Sequence, residues 1–160
     1  MQKMSEAVKN YFEVLEAKFK EIYQRAIDAR RMGFDPKTEP EITPAKDVAA
    51  RVEGLIGPKG VAERIRSLSA DMSREQVAFK IAEEIATGKI GEFDEKKAAD
   101  LAIRAALAIL TEGITAGPIE GIADVKIKNN SDRTRYLAIY FAGPIRAAGG
   151  TEAAQTVVVG

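Results

Sequence analysis

Residues 101–110, LAIRAALAIL, form the second half of a predicted helix that opens at Asp94 and closes near Thr111. A surface helix keeps a polar face, but this stretch is apolar nearly all round, a pattern a helix holds only where protein covers every side. It is expected to be the buried centre of its domain, with the other elements arranged about it. Arg104 is its only charge. A guanidinium taken out of water needs a carboxylate or carbonyl partner, so Arg104 is expected to be structural rather than catalytic.

Upstream, the same helical grammar repeats in shorter pieces. Asp47 is placed to cap DVAARVEGLIG, which ends near Gly57-Pro58, and Val61 to Leu68 forms a second short helix carrying Arg64 and Arg66. Ser73-Arg74-Glu75-Gln76 matches a capping box, opening a helix with Val77, Ile81, Ala82 and Ile85 on one face and Gly88 at its end. Downstream of Glu112 the grammar changes. Gly113, Gly117, Pro118 and Gly121 precede an alternating strand, Ile122 to Lys128; the polar turn Asn129–Thr134 follows, and Arg135 to Phe141 returns as a second strand. A lone hairpin is marginal in water. This one must pack on the 101–110 helix or pair with strands elsewhere.

Two near copies flank the hairpin, Ala116-Gly117-Pro118-Ile119-Glu120 and Ala142-Gly143-Pro144-Ile145-Arg146. They suggest that the hairpin's ends lie close together, with an ion pair between Glu120 and Arg146; a chance match of turn residues is the alternative. The second copy belongs to Tyr136–Gly150, YLAIYFAGPIRAAGG, read as a strand entering a glycine loop, with Thr151 and Glu152 opening a helix. The chain ends at Gly160 directly after Val157, Val158 and Val159, which reads as a fragment boundary.

At the other end, Val8, Phe12, Leu15, Phe19, Ile22 and Ala26 recur at alternating steps of four and three between Ser5 and Met32. That is an a/d seam of about three heptads. Ser5 is placed as N-cap and Gly33 just past the C-terminus. The seam is expected to pack on later helices of this chain or to pair with another helix, in a partner or a second copy. Phe34 to Lys46 carries Pro36, Pro40 and Pro44, each removing a backbone donor, and reads as an extended linker. The predicted fold is thus α+β and predominantly helical: an amphipathic helix over residues 1–33, a proline-rich linker over 34–46, and a helical domain over 47–160 with a β-hairpin and a Gly-rich loop leading into a truncated helix.

Composition narrows the chemistry. The 160 residues carry 24 Lys plus Arg against 24 Asp plus Glu, with no cysteine and no histidine. Disulfides, thiolate nucleophiles, cysteine zinc sites and histidine-based catalysis are therefore absent from this chain. No basic stripe announces a polyanion partner. No apolar run approaches the ~20 residues needed to span a bilayer, and the amino terminus lacks a signal-peptide core; a cytoplasmic location is expected.

No catalytic residue is assigned. Arg146 with the backbone of Gly143, Gly149, Gly150 and Thr151 is the candidate anion loop, although the loop lacks a phosphate-loop lysine, and a tight turn with an incidental arginine is the alternative. Lys126, Lys128, Arg133 and Arg135 cluster on and around the hairpin tip with Tyr136, either touching a nucleic-acid backbone or base or forming a solvated turn diluted by Asp132. Glu112, Glu120 and Asp124 are spaced carboxylates near glycines, but no second ligand set makes them a metal site.

The strings TEGITAGPIEGIADVKIK (111–128) and YLAIYFAGPIRAAGGTEAAQ (136–155) resemble the amino-terminal region of the large subunit of the archaeal family D DNA polymerase. RVEGLIGPKGVAERIR (51–66) and LAIRAALAILTEG (101–113) resemble the same region in the same order. The resemblance implies a parent magnesium-dependent DNA polymerase, a small-subunit partner bearing the proofreading 3'-5' exonuclease, and contact with DNA through the whole enzyme. The family's catalytic aspartates and zinc cysteines belong to regions outside this segment, so none maps onto a position here. The segment itself is expected to be catalytically inert and to serve in assembly, with self-association through the first helix as one route; DNA contact through Arg146 and the hairpin cations is the competing reading.

Overall fold

A computed structural model describes residues 5–39, 45–114, 116–147 and 150–160, and every side chain among them except those of Arg146 and Ala147. The chain divides into two compact units, Met1–Thr43 and Pro44–Gly160.

The first unit is built on α1 (Glu6–Arg31). Ser5 accepts from the Val8 N–H as its N-cap, and the helix ends where Gly33 takes φ 91°, with Phe34 N–H reaching back to the Ala29 carbonyl. This left-handed turn satisfies carbonyls that the last helical turn would otherwise leave open. No residue of α1 is buried. Beyond it, Arg30 holds the following segment by reaching Asp35 and Thr38; Pro40 and Pro44 lie outside the described residues.

In the second unit, α2 (Val48–Leu55), α3 (Val61–Leu68), α4 (Arg74–Ala86) and α5 (Glu95–Leu110) follow in order. Asp47, Ser73 and Asp94 cap α2, α4 and α5, and Gln76 closes the capping box of α4. The N-terminus of α3 has no such cap, because Gly60 stands there. Glu53 of α2 supplies the missing acceptor, its carboxylate taking the N–H groups of Gly60 (2.9 Å) and Ala62 (2.8 Å).

Helix α5 is the centre that its sequence predicts. Leu101, Ala105, Ala108 and Ile109 pack with Val77, Ala78, Ile81 and Ile85 of α4 and with Val52, Val61 and Ile65 of α2 and α3. Its other side, through Ile103 and Leu107, meets Ile122 and Val125 of the hairpin. A helix covered from both sides has no use for a polar face, which is why its second half is apolar all round.

The hairpin consists of β1 (Ile122–Asn129) and β2 (Arg135–Phe141), antiparallel, with Val125 opposite Ile139 and Lys128 opposite Tyr136. Its inner face packs on α5, the first of the two options its marginal size left open. Two short helices follow, α6 (Gly143–Ala147) and α7 (Gly150–Val159). The fold is α+β and predominantly helical, as predicted. One element escapes the sequence reading: Ala116–Gly121, the first AGPIE copy plus Gly121, is a single turn of π-helix. The second copy differs from prediction too. Gly143–Ala147 is helical rather than part of an open glycine loop, because Pro144 occupies a first-turn position that needs no N–H donor and Ile145, 1% exposed, anchors the turn in the core.

Candidate functional site

The residues singled out from the sequence gather around the hairpin, and Arg104 organises them. Its Nε donates to Asp100 (2.8 Å), one terminal nitrogen to the carbonyls of Pro118 (2.7 Å) and Ile119 (3.1 Å), and the other to the carbonyl of Ile122 (2.9 Å). The guanidinium therefore holds the π-helix and the start of β1 against α5. Both kinds of partner expected for it, carboxylate and carbonyl, are present.

The two ends of the hairpin meet as the repeated AGPI strings suggest. Ala142 N–H donates to the Gly121 carbonyl at 2.8 Å, and a Cβ at Gly121 would lie 2.8 Å from Ile145 Cβ. The proposed Glu120–Arg146 ion pair involves a side chain outside those described. Glu152, in the first turn of α7, lies over the backbone of Gly117, where an added Cβ would fall 2.1 Å from Oε2. Among the described residues no donor reaches that oxygen.

The hairpin cations do not form one free cluster. Lys126 pairs with Asp124 at 3.2 Å, and Asp124 also takes Lys96 at 3.1 Å. These two lysines, Lys96 first, hold the Asp124 carboxyl below its ordinary pKa. Arg135 pairs with Glu95 of α5 at 2.5 Å, a hydrogen bond that raises the guanidinium's pKa further. Lys126 and Lys128 lie 5.0 and 5.3 Å from the ring centroid of Tyr140. The Lys128 hydrogen bond pulls the Tyr140 phenol down and raises the lysine in turn. Arg133 stands at the tip with φ 70°. Tyr140 was missed in the sequence reading; period-two alternation puts it on the outer face with Tyr136, Lys126 and Lys128, and that was the available signal.

The anion-loop residues are dispersed into helix. Gly143 opens α6, Gly150 opens α7 and Thr151 is exposed in its first turn. Gly149 and the Arg146 side chain lie outside what is described. Of the three spaced carboxylates, Glu112 is paired with Arg74 and Asp124 with two lysines. Among the described residues no group of three His, Cys, Asp or Glu could hold a metal ion, and no helix is long and apolar enough to cross a membrane.

One further charged pair was not legible in the sequence. Glu84 of α4 has a side chain 6% exposed, and Arg64 of α3 grips it bidentately at 2.7 and 2.6 Å. The Arg64 hydrogen bonds outweigh burial and lower the Glu84 pKa. A depressed folded-state value adds stability above the unfolded value of about 4.3 and loses it as pH falls through the folded one. Wild type should therefore exceed Glu84→Gln in stability at pH 7, and the gap should close below about pH 4 in parallel urea titrations. A gap independent of pH would show that Glu84 acts by shape alone.

The first unit supplies a different kind of surface. Val8, Phe12, Phe19 and Ile22 are 40%, 53%, 51% and 59% exposed, and no described residue of their own unit buries them. Tyr11 packs edge-on against Phe12, ring centroids 5.5 Å apart. A contiguous apolar seam of this length is costly to leave in water.

Residues 10–160 match the model of a family described as DNA polymerase II large subunit DP2, N-terminal. The chain belongs to this family. Among curated proteins it is 58% identical to the DNA polymerase II large subunit of Methanosphaera stadtmanae, covering 94% of this chain and 14% of that protein. It is 55% identical to the large subunit of Methanothermobacter thermautotrophicus, with the same coverage of each. The large subunit of Pyrococcus furiosus is 53% identical over 96% of this chain and 12% of its own length. The chain thus spans roughly one-seventh of these relatives or less. The resemblance read from residues 51–66, 101–113, 111–128 and 136–155 is borne out. Those strings supply most of α2 and α3, the buried half of α5, Arg104 with the carbonyls it grips, nearly all of both strands, α6 and the first part of α7.

Proposed function

We propose that this chain is the amino-terminal part of the polymerising subunit of an archaeal replicative DNA polymerase, a cytoplasmic heterodimer in which a small subunit carries the 3'-5' exonuclease, and that this part serves in assembly. The supporting observation is the apolar seam of α1, left open by the described residues of its own unit. Templated nucleotidyl transfer, with its magnesium, belongs to the whole enzyme. Of the carboxylates near the hairpin, Glu112 and Asp124 are already engaged by cations.

DNA contact through Arg146 and the hairpin cations stands second. Its support is that Lys126, Lys128, Tyr136 and Tyr140 share the hairpin's outer face; against it, Lys126 and Arg135 are already paired within the chain. One experiment addresses both readings. The full-length large subunit carrying Phe12→Gln/Phe19→Gln should lose stable association with its small subunit while circular dichroism shows the helical content retained. Undiminished association would sink the assembly reading. In the same preparations, a salt-dependent DNA titration unmoved by Lys128→Ala/Arg133→Ala and by Arg146→Ala would remove the DNA-contact reading.

A further inference from the structure

A groove of about 640 Å³ lies between α3 and the turn after α4, on the opposite side of α5 from the hairpin. Lys59, Arg64 and Lys89 line it, together with Glu63, Ser67 and the buried Glu84. All three cations are held from behind. Glu53 fixes the loop of Lys59 through the Gly60 N–H at 2.9 Å, and the Glu84 main-chain carbonyl takes the N–H groups of Lys89 (2.8 Å) and Ile90 (3.1 Å). The Glu84 carboxylate holds Arg64 through Nε and one terminal nitrogen. The other terminal nitrogen meets no acceptor among the described residues, on a side chain 40% exposed. A buried ion pair is a poor route to stability, because apolar residues of similar volume serve as well. It is an effective way to hold a planar guanidinium in one orientation with its remaining edge outward. Lys59 and Lys89 are exposed and make no ion pair among the described residues. The rim therefore sets two lysines and a guanidinium edge against one exposed carboxylate, Glu63.

We propose that this groove binds a phosphodiester of the DNA backbone. The inference rests on the reading above that the parent enzyme copies DNA, and it is separate from contact through Arg146 and the hairpin cations. Cations converging from three segments, with the Ser67 hydroxyl beside them, suit a tetrahedral oxyanion. No aromatic ring lines the groove to stack a base, so the contact positions a strand without reading its sequence. Donors already anchored by Glu53 and Glu84 bind without a further ordering cost.

The test uses the full-length large subunit with its small subunit and a fluorescein-labelled primer–template, followed by anisotropy across a salt series. Lys59→Ala/Lys89→Ala removes two exposed side chains that make no ion pair among the described residues, so the fold persists. It should weaken binding about tenfold and reduce the slope of log affinity against log salt by about two, as losing a pair of phosphate contacts does. The loss should be the same on unrelated DNA sequences. Lys37→Ala/Lys46→Ala removes equal charge from exposed positions in the linker and should change affinity and slope little. Equal losses in both double variants would reduce the effect to general charge and overturn the inference. A loss confined to one DNA sequence would overturn it too, as would weakened subunit association without DNA, which would make the occupant an acidic protein segment. If DNA binding is unchanged while calorimetry shows that Lys59→Ala/Lys89→Ala loses a site for inorganic pyrophosphate, the anion is a free phosphate and the inference falls. DNA binding by the unmodified complex that this variant leaves unaltered removes the groove but keeps the reading that the enzyme copies DNA. If the unmodified complex binds no DNA, both fall together.

Discussion

Replacing Arg104 by methionine should destabilise the second unit by about 3 kcal/mol, read as a lower urea midpoint. The size follows from what the guanidinium leaves behind. Carbonyls of Pro118, Ile119 and Ile122 lose their charged donor, and the Asp100 carboxylate loses its partner. The Arg104 and Asp100 side chains are 17% and 19% exposed, so water replaces these bonds poorly. An acceptor stranded in that way costs about 1–3 kcal/mol, and breaking a largely buried charged pair costs a similar amount or more. Lysine should not rescue the loss, because one ammonium cannot span four acceptors that a planar fork reaches from its separate nitrogens. Asp100→Asn is the informative control. It removes the ion pair while leaving the carbonyl bonds, and should cost clearly less. Equal losses in Arg104→Met and Asp100→Asn would mean that the grip on the π-helix contributes nothing.

Gly121→Ala should cost about 2 kcal/mol, within the range for forcing a methyl into a packed site. The argument is one of space. The new Cβ would sit 2.8 Å from Ile145 Cβ and 3.2 Å from its Cγ1, and Ile145 is the buried anchor of α6. Trimming Ile145 to valine would leave the offending Cβ in place. The Gly121 carbonyl also accepts the Ala142 N–H, so displacing either residue opens the mouth of the hairpin. Gly143→Ala, where an added Cβ meets nothing within 4 Å, is the matched control and should leave stability nearly unchanged. A Gly121→Ala protein as stable as Gly143→Ala would show that α6 can shift freely against the π-helix.

The legible parts of this fold share a physical origin. Asp47, Ser73 and Asp94 could be assigned as caps because a cap acts on N–H groups only two or three residues away. The strand limits around Asn129–Thr134 were readable because alternation and turn chemistry are equally local. What escaped depended on residues distant in sequence. The Arg64–Glu84 grip joins residues 20 apart, and Arg135 reaches Glu95 across 40; nothing local to either residue announces its partner. The same distance explains Arg135 among the hairpin cations. Lys126, Lys128, Arg133 and Arg135 were expected as one cluster because they are close in sequence, yet tertiary packing brings Glu95 of α5 to Arg135, while Lys126 pairs within its own strand with Asp124. The π-helix was invisible for another reason: Gly117 and Pro118 signal a turn without specifying which, and the carbonyls that Arg104 grips accompany a wider turn than the sequence suggested.

By itself the sequence determined the helical body, the hairpin, the apolar seam of α1, the family, and the lack of a histidine- or cysteine-based active site in this segment. The family follows from the long strings that resemble it; the others follow from periodicity, from short-range hydrogen bonding, or from which residue types are present at all. Only the tertiary structure decided that the hairpin lies on α5, that Arg104 fastens the π-helix there, and that Glu95 takes Arg135, because these depend on side chains that the chain brings together from far apart.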